Sequence, residues 1–104
     1  MIEATANDFD QQTDGPMTIV DFWAPWCGPC KMMAPVMEQM EQKYGDQIKF
    51  VKFNVDDDKE IPQRYKVMSI PSLVLFKDHQ AKEKVTGFYN AQQLSHYFDR
   101  KLAE

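Results

Sequence analysis

Apolar and polar positions alternate along the chain in short strand-like runs and helical stripes, and these predict the element order β-α-β-α-β-α-β-β-α. Met17 to Ala24 (Met-Thr-Ile-Val-Asp-Phe-Trp-Ala) is apolar on both alternating faces, which suits a strand covered on both sides, and Pro25 ends it. Ile48 to Val55 reads as a second buried strand and Ser72 to Lys77 as a third. Between the first two, Met33, Val36, Met37, Met40 and Tyr44 make an apolar stripe on a helix that runs from Cys30 to Tyr44. The methionines of that stripe are core filler rather than a cofactor box. Pro35 is expected to kink this helix, because proline removes a backbone bond and clashes one turn back. Gly45 is its expected C-cap. Ala81 to Thr86 sets Ala, Glu and Val against Lys, Lys and Thr, an outer strand with one wet face.

The shorter signals fill the gaps. Ile2 to Ala4 suits an edge strand, and Thr5 with Asp8 opens a short helix to about Gln12. Asp14-Gly15-Pro16 and Asp78-His79 mark turns, and Gly87 closes the outer strand. Asp56-Asp57-Asp58 reads as a solvated turn that caps the Lys59 to Tyr65 segment, not as a metal site. Asn90 with Gln93 resembles a capping box and opens a last helix with Leu94, Tyr97, Phe98 and Leu102 on its apolar face. His96 lies off that stripe and receives no role. Strands joined through helices are expected to pair in parallel, and the last two, joined by a tight turn, to pair antiparallel. The fold class is α/β: a mixed central sheet of about five strands flanked by about four helices.

At 104 residues the chain is expected to form one domain that buries roughly two-thirds of its unfolded surface. A net charge of −4 from interspersed residues leaves no basic patch, which speaks against nucleic acid as a partner. No apolar stretch approaches the ~20 residues that span a bilayer, so no membrane association is expected. Met-Ile-Glu-Ala-Thr carries neither a basic segment nor a signal-like apolar run, so the chain is expected in the cytoplasm. Thiols are kept reduced there, and a cysteine pair in that compartment is more often catalytic than structural. Nothing in the sequence calls for more than a monomer.

Cys27 and Cys30 are the only two cysteines, in Trp26-Cys27-Gly28-Pro29-Cys30, between an apolar strand and a helix. Positions i and i+3 share a helix face, so both sulfurs meet at one helix start. Pro29 fits the first turn, where its missing N–H costs nothing. The helix N-terminus sets unpaired N–H groups and partial positive charge beside Cys27, which favours a nucleophilic thiolate. A structural disulfide closing so short a loop removes little entropy from the unfolded chain. Zinc needs about four ligands, and His79 and His96 lack the usual close spacing, so no metal is expected. A Cys-x-x-Cys in this position reads as a redox pair. Asp21 lies in the same apolar strand, on the face of Ile19 and Trp23, where a carboxylate without a partner is costly and holds its proton. From the residues alone it is either a paired structural aspartate or a chemical one.

These features together resemble the thioredoxin family: Val20-Asp21-Phe22-Trp23-Ala24-Pro25-Trp26-Cys27-Gly28-Pro29-Cys30-Lys31, Pro35, Asn54-Val55-Asp56, Ile70-Pro71, Phe76 and Gly87, in the family's order across nearly the whole chain. The resemblance implies the thioredoxin fold and a protein-disulfide reductase. It implies no bound cofactor: a reversible Cys27–Cys30 disulfide is recharged with electrons from NADPH by a flavin-dependent thioredoxin reductase, and the other partners are disulfide-containing proteins. It implies that Cys27 attacks the target and the more buried Cys30 resolves the mixed disulfide. Asp21 then accepts the Cys30 proton, and Lys52 faces that carboxylate, although a plain surface lysine is the other reading of Lys52. Ile70-Pro71 resembles the family's cis-proline element, which offers backbone groups to an extended peptide. Trp26, Gly28, Pro29, Ile70, Pro71 and Gly87 then form the target-binding groove, with a half-buried packing role as the alternative for Trp26.

Two other functions compete with the reductase. An oxidase or isomerase is disfavoured because oxidising members of the superfamily tend to carry a His where Gly28-Pro29 stands. A non-catalytic binding subunit would use the groove alone. The chain also departs from the family's usual residues at Met68-Ser69, Ser72, Asp78-His79 and Phe88-Tyr89, positions that bear on partner range and not on the chemistry.

Overall fold

The elements follow in the expected order: β1 (Ile2–Glu3), α1 (Phe9–Gln12), β2 (Met17–Trp23), α2 (Gly28–Tyr44), β3 (Lys49–Asn54), α3 (Glu60–Arg64), β4 (Ser72–Lys77), β5 (Gln80–Thr86) and α4 (Ala91–Ala103). The structure, a computed structural model, describes residues 1–104. One five-stranded sheet runs β1-β3-β2-β4-β5. β1 and β2 both pair with β3 in parallel, while β2–β4 and β4–β5 are antiparallel.

The direction of β4 corrects the expectation that every helix-linked pair of strands runs parallel. β3 and β4 are joined through α3, yet β4 lies on the far side of β2 and runs against it. A parallel return must carry the chain back along the whole strand, about 20 Å for six residues. Residues 55–71 join β3 to β4 with only the five residues of α3 helical, and the chain re-enters the sheet from the end where it left. The 17 residues of α2 are long enough for the return from β2 to β3.

Helices cover both faces of the sheet. On one face α2 and α4 bury Met33, Met37, Met40, Leu94 and Phe98 against Ile19, Phe50, Leu73 and Leu75. On the other, Phe9 of α1 and Ile61 of α3 pack with Val20, Phe22, Val51, Phe53 and Phe76. Alternation along β2 therefore turns Ile19 toward α2 and Val20 toward α1, and period two puts Asp21 on the α2 face. No helix is long and apolar enough to cross a membrane.

Side-chain caps fix several element ends. Asn90 and Gln93 form the expected capping box on α4. Thr5 and Asp8 exchange bonds as well, with the Thr5 N–H donating to Asp8 Oδ1 at 2.6 Å and the Asp8 N–H to Thr5 Oγ1 at 3.3 Å. The pair closes a turn at residues 6–8, however, and α1 itself starts only at Phe9. α2 continues through exposed Pro35 to Tyr44. Gly45 ends α2 in the right-handed region (φ −60°), so it is not there to supply a left-handed cap. A Cβ at Gly45 would lie 2.5 Å from the Glu41 carbonyl oxygen, and this close approach is what requires glycine.

The β4–β5 turn places both Asp78 (φ 51°) and His79 (φ 54°) in the left-handed region, which side chains resist. His79→Gly is expected to raise stability by about 1 kcal/mol, measured by urea denaturation, by relieving that conformation. The lost contact is small, since the pair between His79 Nδ1 and Asp14 Oδ1 (3.0 Å) is exposed on both sides.

Candidate active site

The start of α2 is built around Cys27. Proline in the first turn leaves no orphan N–H at its own position, and Cys27 serves as N-cap in extended conformation. Its Sγ accepts a hydrogen bond from the Cys30 N–H at 3.2 Å. Cys27 and Cys30 form a disulfide, with Cα atoms 5.2 Å apart. Ala24 packs against the pair, and Trp23, Val55 and Ile70 surround it. The expectation that Cys30 is the more buried of the two is not met. Both residues are 5% exposed, because the bond holds the two sulfurs side by side under the same cover.

Asp21 lines a cavity shared with Cys30. It is 6% exposed, and its Oδ1 has no hydrogen-bond partner. Burial pushes its pKa up to about 7, against a smaller downward pull from Lys52, and Glu3 adds to the rise. Asp21, Cys30, Trp23 and Lys52 line one cavity of about 170 Å3. Lys52 stands opposite Asp21 in the β2–β3 register, with its ammonium 5.1 Å from the Trp23 ring centroid and 3.9 Å from Glu3 Oε1. It is thus a half-exposed strand lysine that also faces the buried carboxylate.

Outside the disulfide, Trp26 is 68% exposed, which removes the half-buried packing alternative. Its indole N–H donates to both carboxylate oxygens of Asp56, at 3.1 and 3.0 Å. Asp56 belongs to the Asn54-Val55-Asp56 match to the family, but the sequence gives it only a capping role in the acidic run and no place at the site. Asp58 alone fills that capping role, accepting from the Ile61 N–H at 2.8 Å. Trp26, Val55, Met68 and Ile70 share a concavity of about 340 Å3. The Ile70–Pro71 bond is cis, and the Pro71 carbonyl accepts from the Gly87 N–H at 2.9 Å. Ile70 and Trp26 are therefore together, and Gly87 is tied to Pro71. Gly28 and Pro29 are exposed at the helix start and do not line the concavity. The largest concavity, between β5 and α4, contains none of these residues.

The Thioredoxin family model matches residues 1–100. The thioredoxin of Bacillus subtilis (strain 168) is 42% identical over 102 residues, 98% of each chain. The thioredoxin of Staphylococcus aureus (strain Mu50 / ATCC 700699) is 41% identical over the same length and coverage. With a Cys-Gly-Pro-Cys pair capping α2 of a five-stranded mixed sheet, and with these relatives, the chain belongs to the thioredoxin family and is a thiol–disulfide oxidoreductase.

Proposed function

We propose that this single-domain, monomeric chain reduces disulfides of target proteins in the cytoplasm, receiving its electrons from NADPH through a flavin-dependent thioredoxin reductase. The Cys27 thiolate attacks one sulfur of the target disulfide, and the other target sulfur leaves as a thiolate. Cys30 then gives its proton to Asp21 and attacks the Cys27 sulfur. The second target sulfur leaves, two electrons have passed to the target, and the Cys27–Cys30 disulfide remains. The reductase returns two electrons to this disulfide. Lys52 faces Asp21 and offsets the carboxylate charge when Asp21 is ionised.

The observation that carries this reading is the division of labour around the two sulfurs. The Cys30 N–H is directed at Cys27 Sγ, which stabilises negative charge on Cys27. Cys30, in turn, shares a cavity with a carboxyl that titrates near neutral pH. An acceptor poised near the working pH suits a proton that must come off and go back. Ile70 supports target binding at the same place, since neither its N–H nor its C=O is bonded within the chain and both can pair with an extended peptide. Exposed Trp26 and Met68 supply the apolar walls.

Insulin reduction with NADPH and a thioredoxin reductase tests the proposal. Catalytic precipitation of the insulin B chain with stoichiometric NADPH loss is expected. Binding of insulin without NADPH consumption would instead indicate a binding module, and oxidation of reduced proteins without reduction of insulin an oxidase.

A further inference from the structure

The parallel pairing of β1, β3 and β2 lines up three charged residues across the sheet. Glu3 stands opposite Lys52, and Lys52 stands opposite Asp21. Side chains in one register row leave a sheet on the same face, which here is the face of α2 and of the cavity shared by Asp21 and Cys30. Only Asp21 in the row is buried; the Lys52 and Glu3 side chains are 39% and 46% exposed. Glu3 uses both its oxygens. Oε1 lies 3.9 Å from the Lys52 ammonium, and Oε2 accepts from the Trp23 indole N–H at 3.3 Å. The Lys52 ammonium rests over that same indole, 5.1 Å from the ring centroid. The cation therefore lies beside the outer carboxylate and across the β2–β3 register from Asp21, and the outer carboxylate also fixes the aromatic wall on which the cation rests.

The other charged groups around the cavity do not compete for this place. Lys31 and Glu38 of α2 line it, and the N-terminal ammonium of Met1, also at its rim, is paired with Glu41 at 3.0 Å. β4 places uncharged Leu73 opposite Asp21. Of all these groups, only Lys52 and Glu3 act appreciably on the Asp21 carboxyl, Lys52 favouring its ionised form and Glu3 opposing it.

We propose that Glu3 is a positioning residue of the dithiol reaction: by sharing Lys52 with Asp21 and holding Trp23 beside it, Glu3 sets how tightly Asp21 keeps its proton. The inference rests on Asp21 being the acceptor of the Cys30 proton. With Glu3 ionised, Lys52 is drawn outward and Asp21 stays protonated to higher pH. Without that charge, Lys52 turns to Asp21 and a repulsive neighbour disappears, and both changes lower the midpoint.

The test is the carboxyl 13C titration of Asp21 in the oxidised protein, where the disulfide leaves neither cysteine to titrate. Glu3→Gln keeps the shape and one acceptor for Trp23. It is expected to lower the Asp21 midpoint by about half a pH unit, the size of one charge acting across two strand spacings of about 5 Å each. Glu3→Lys is expected to lower it further, and Glu3→Asp to keep it near the wild-type value. If Glu3 only ties the edge strand down, its variants lower the melting temperature and leave the midpoint in place; that result overturns the proposal. A second readout follows the pH dependence of mixed-disulfide release by the reduced variants, which is expected to move with the carboxyl midpoint. A carboxyl midpoint that moves while the release profile stays would support the hold of Glu3 on Asp21 and count against Asp21 as the proton acceptor.

Discussion

Cys30→Ser is expected to leave the protein able to attack a target disulfide once and unable to let go. Turnover should fall by on the order of a thousandfold or more, with mixed disulfides accumulating on Cys27. Cys27→Ser should lose turnover equally but accumulate no such adduct. Equal exposure of the two residues does not distinguish them, and the backbone does. The Cys30 N–H points at Cys27 Sγ, and Cys27 caps the helix, so charge on sulfur is stabilised at Cys27. Non-reducing mass spectrometry after mixing each variant with oxidised insulin reads the outcome. Equal trapping by both variants would contradict the order of attack.

Asp21→Asn is expected to make the protein more stable and slower. In the folded chain the carboxyl holds its proton up to about pH 7, against 3.8 ordinarily. A folded-state pKa above the unfolded one contributes stability that is full below about pH 4 and is lost as pH rises through about 7. Above that, the wild type carries a buried, poorly paired carboxylate, at a cost of up to about 4 kcal/mol for a shift of this size. The variant should therefore match the wild type near pH 4 and exceed it by a few kcal/mol near pH 8, the gap opening between these values. Release of the mixed disulfide should slow by about a hundredfold, the usual worth of a positioned base, while the first attack changes little. Urea denaturation at both pH values and stopped-flow release kinetics check the two halves. A variant less stable at pH 8 that releases targets at the normal rate would make Asp21 a structural residue.

Local patterns foretell the parts of this molecule that local physics decides. The apolar run at Met17 to Trp23, the methionine stripe of α2 and the Asn90–Gln93 capping box each follow from patterns within a few residues. The cysteine pair is legible for the same reason, since helix start, proline and sulfur spacing sit within five positions. What was not legible depends on where distant segments meet. The reversal of β4 lies in its antiparallel pairing with β2, a segment distant in the chain. The bond from Trp26 to Asp56 crosses 30 residues, and the role of Asp56 is hidden among its acidic neighbours. Glu3 enters the site only through the β1–β3 register, which no two-residue strand can announce from its own sequence. Gly45 was readable as a helix stop but for a different reason, the proximity of the Glu41 carbonyl.

The most direct test of the account is a single turnover without any other reductant. The fully reduced protein is mixed with excess insulin, and free thiols and intact masses are followed together. The prediction is one insulin disulfide opened per chain, with two insulin thiols appearing as Cys27 and Cys30 close into their disulfide and the chain loses two hydrogens. Insulin left intact, with both cysteines still free, would contradict it.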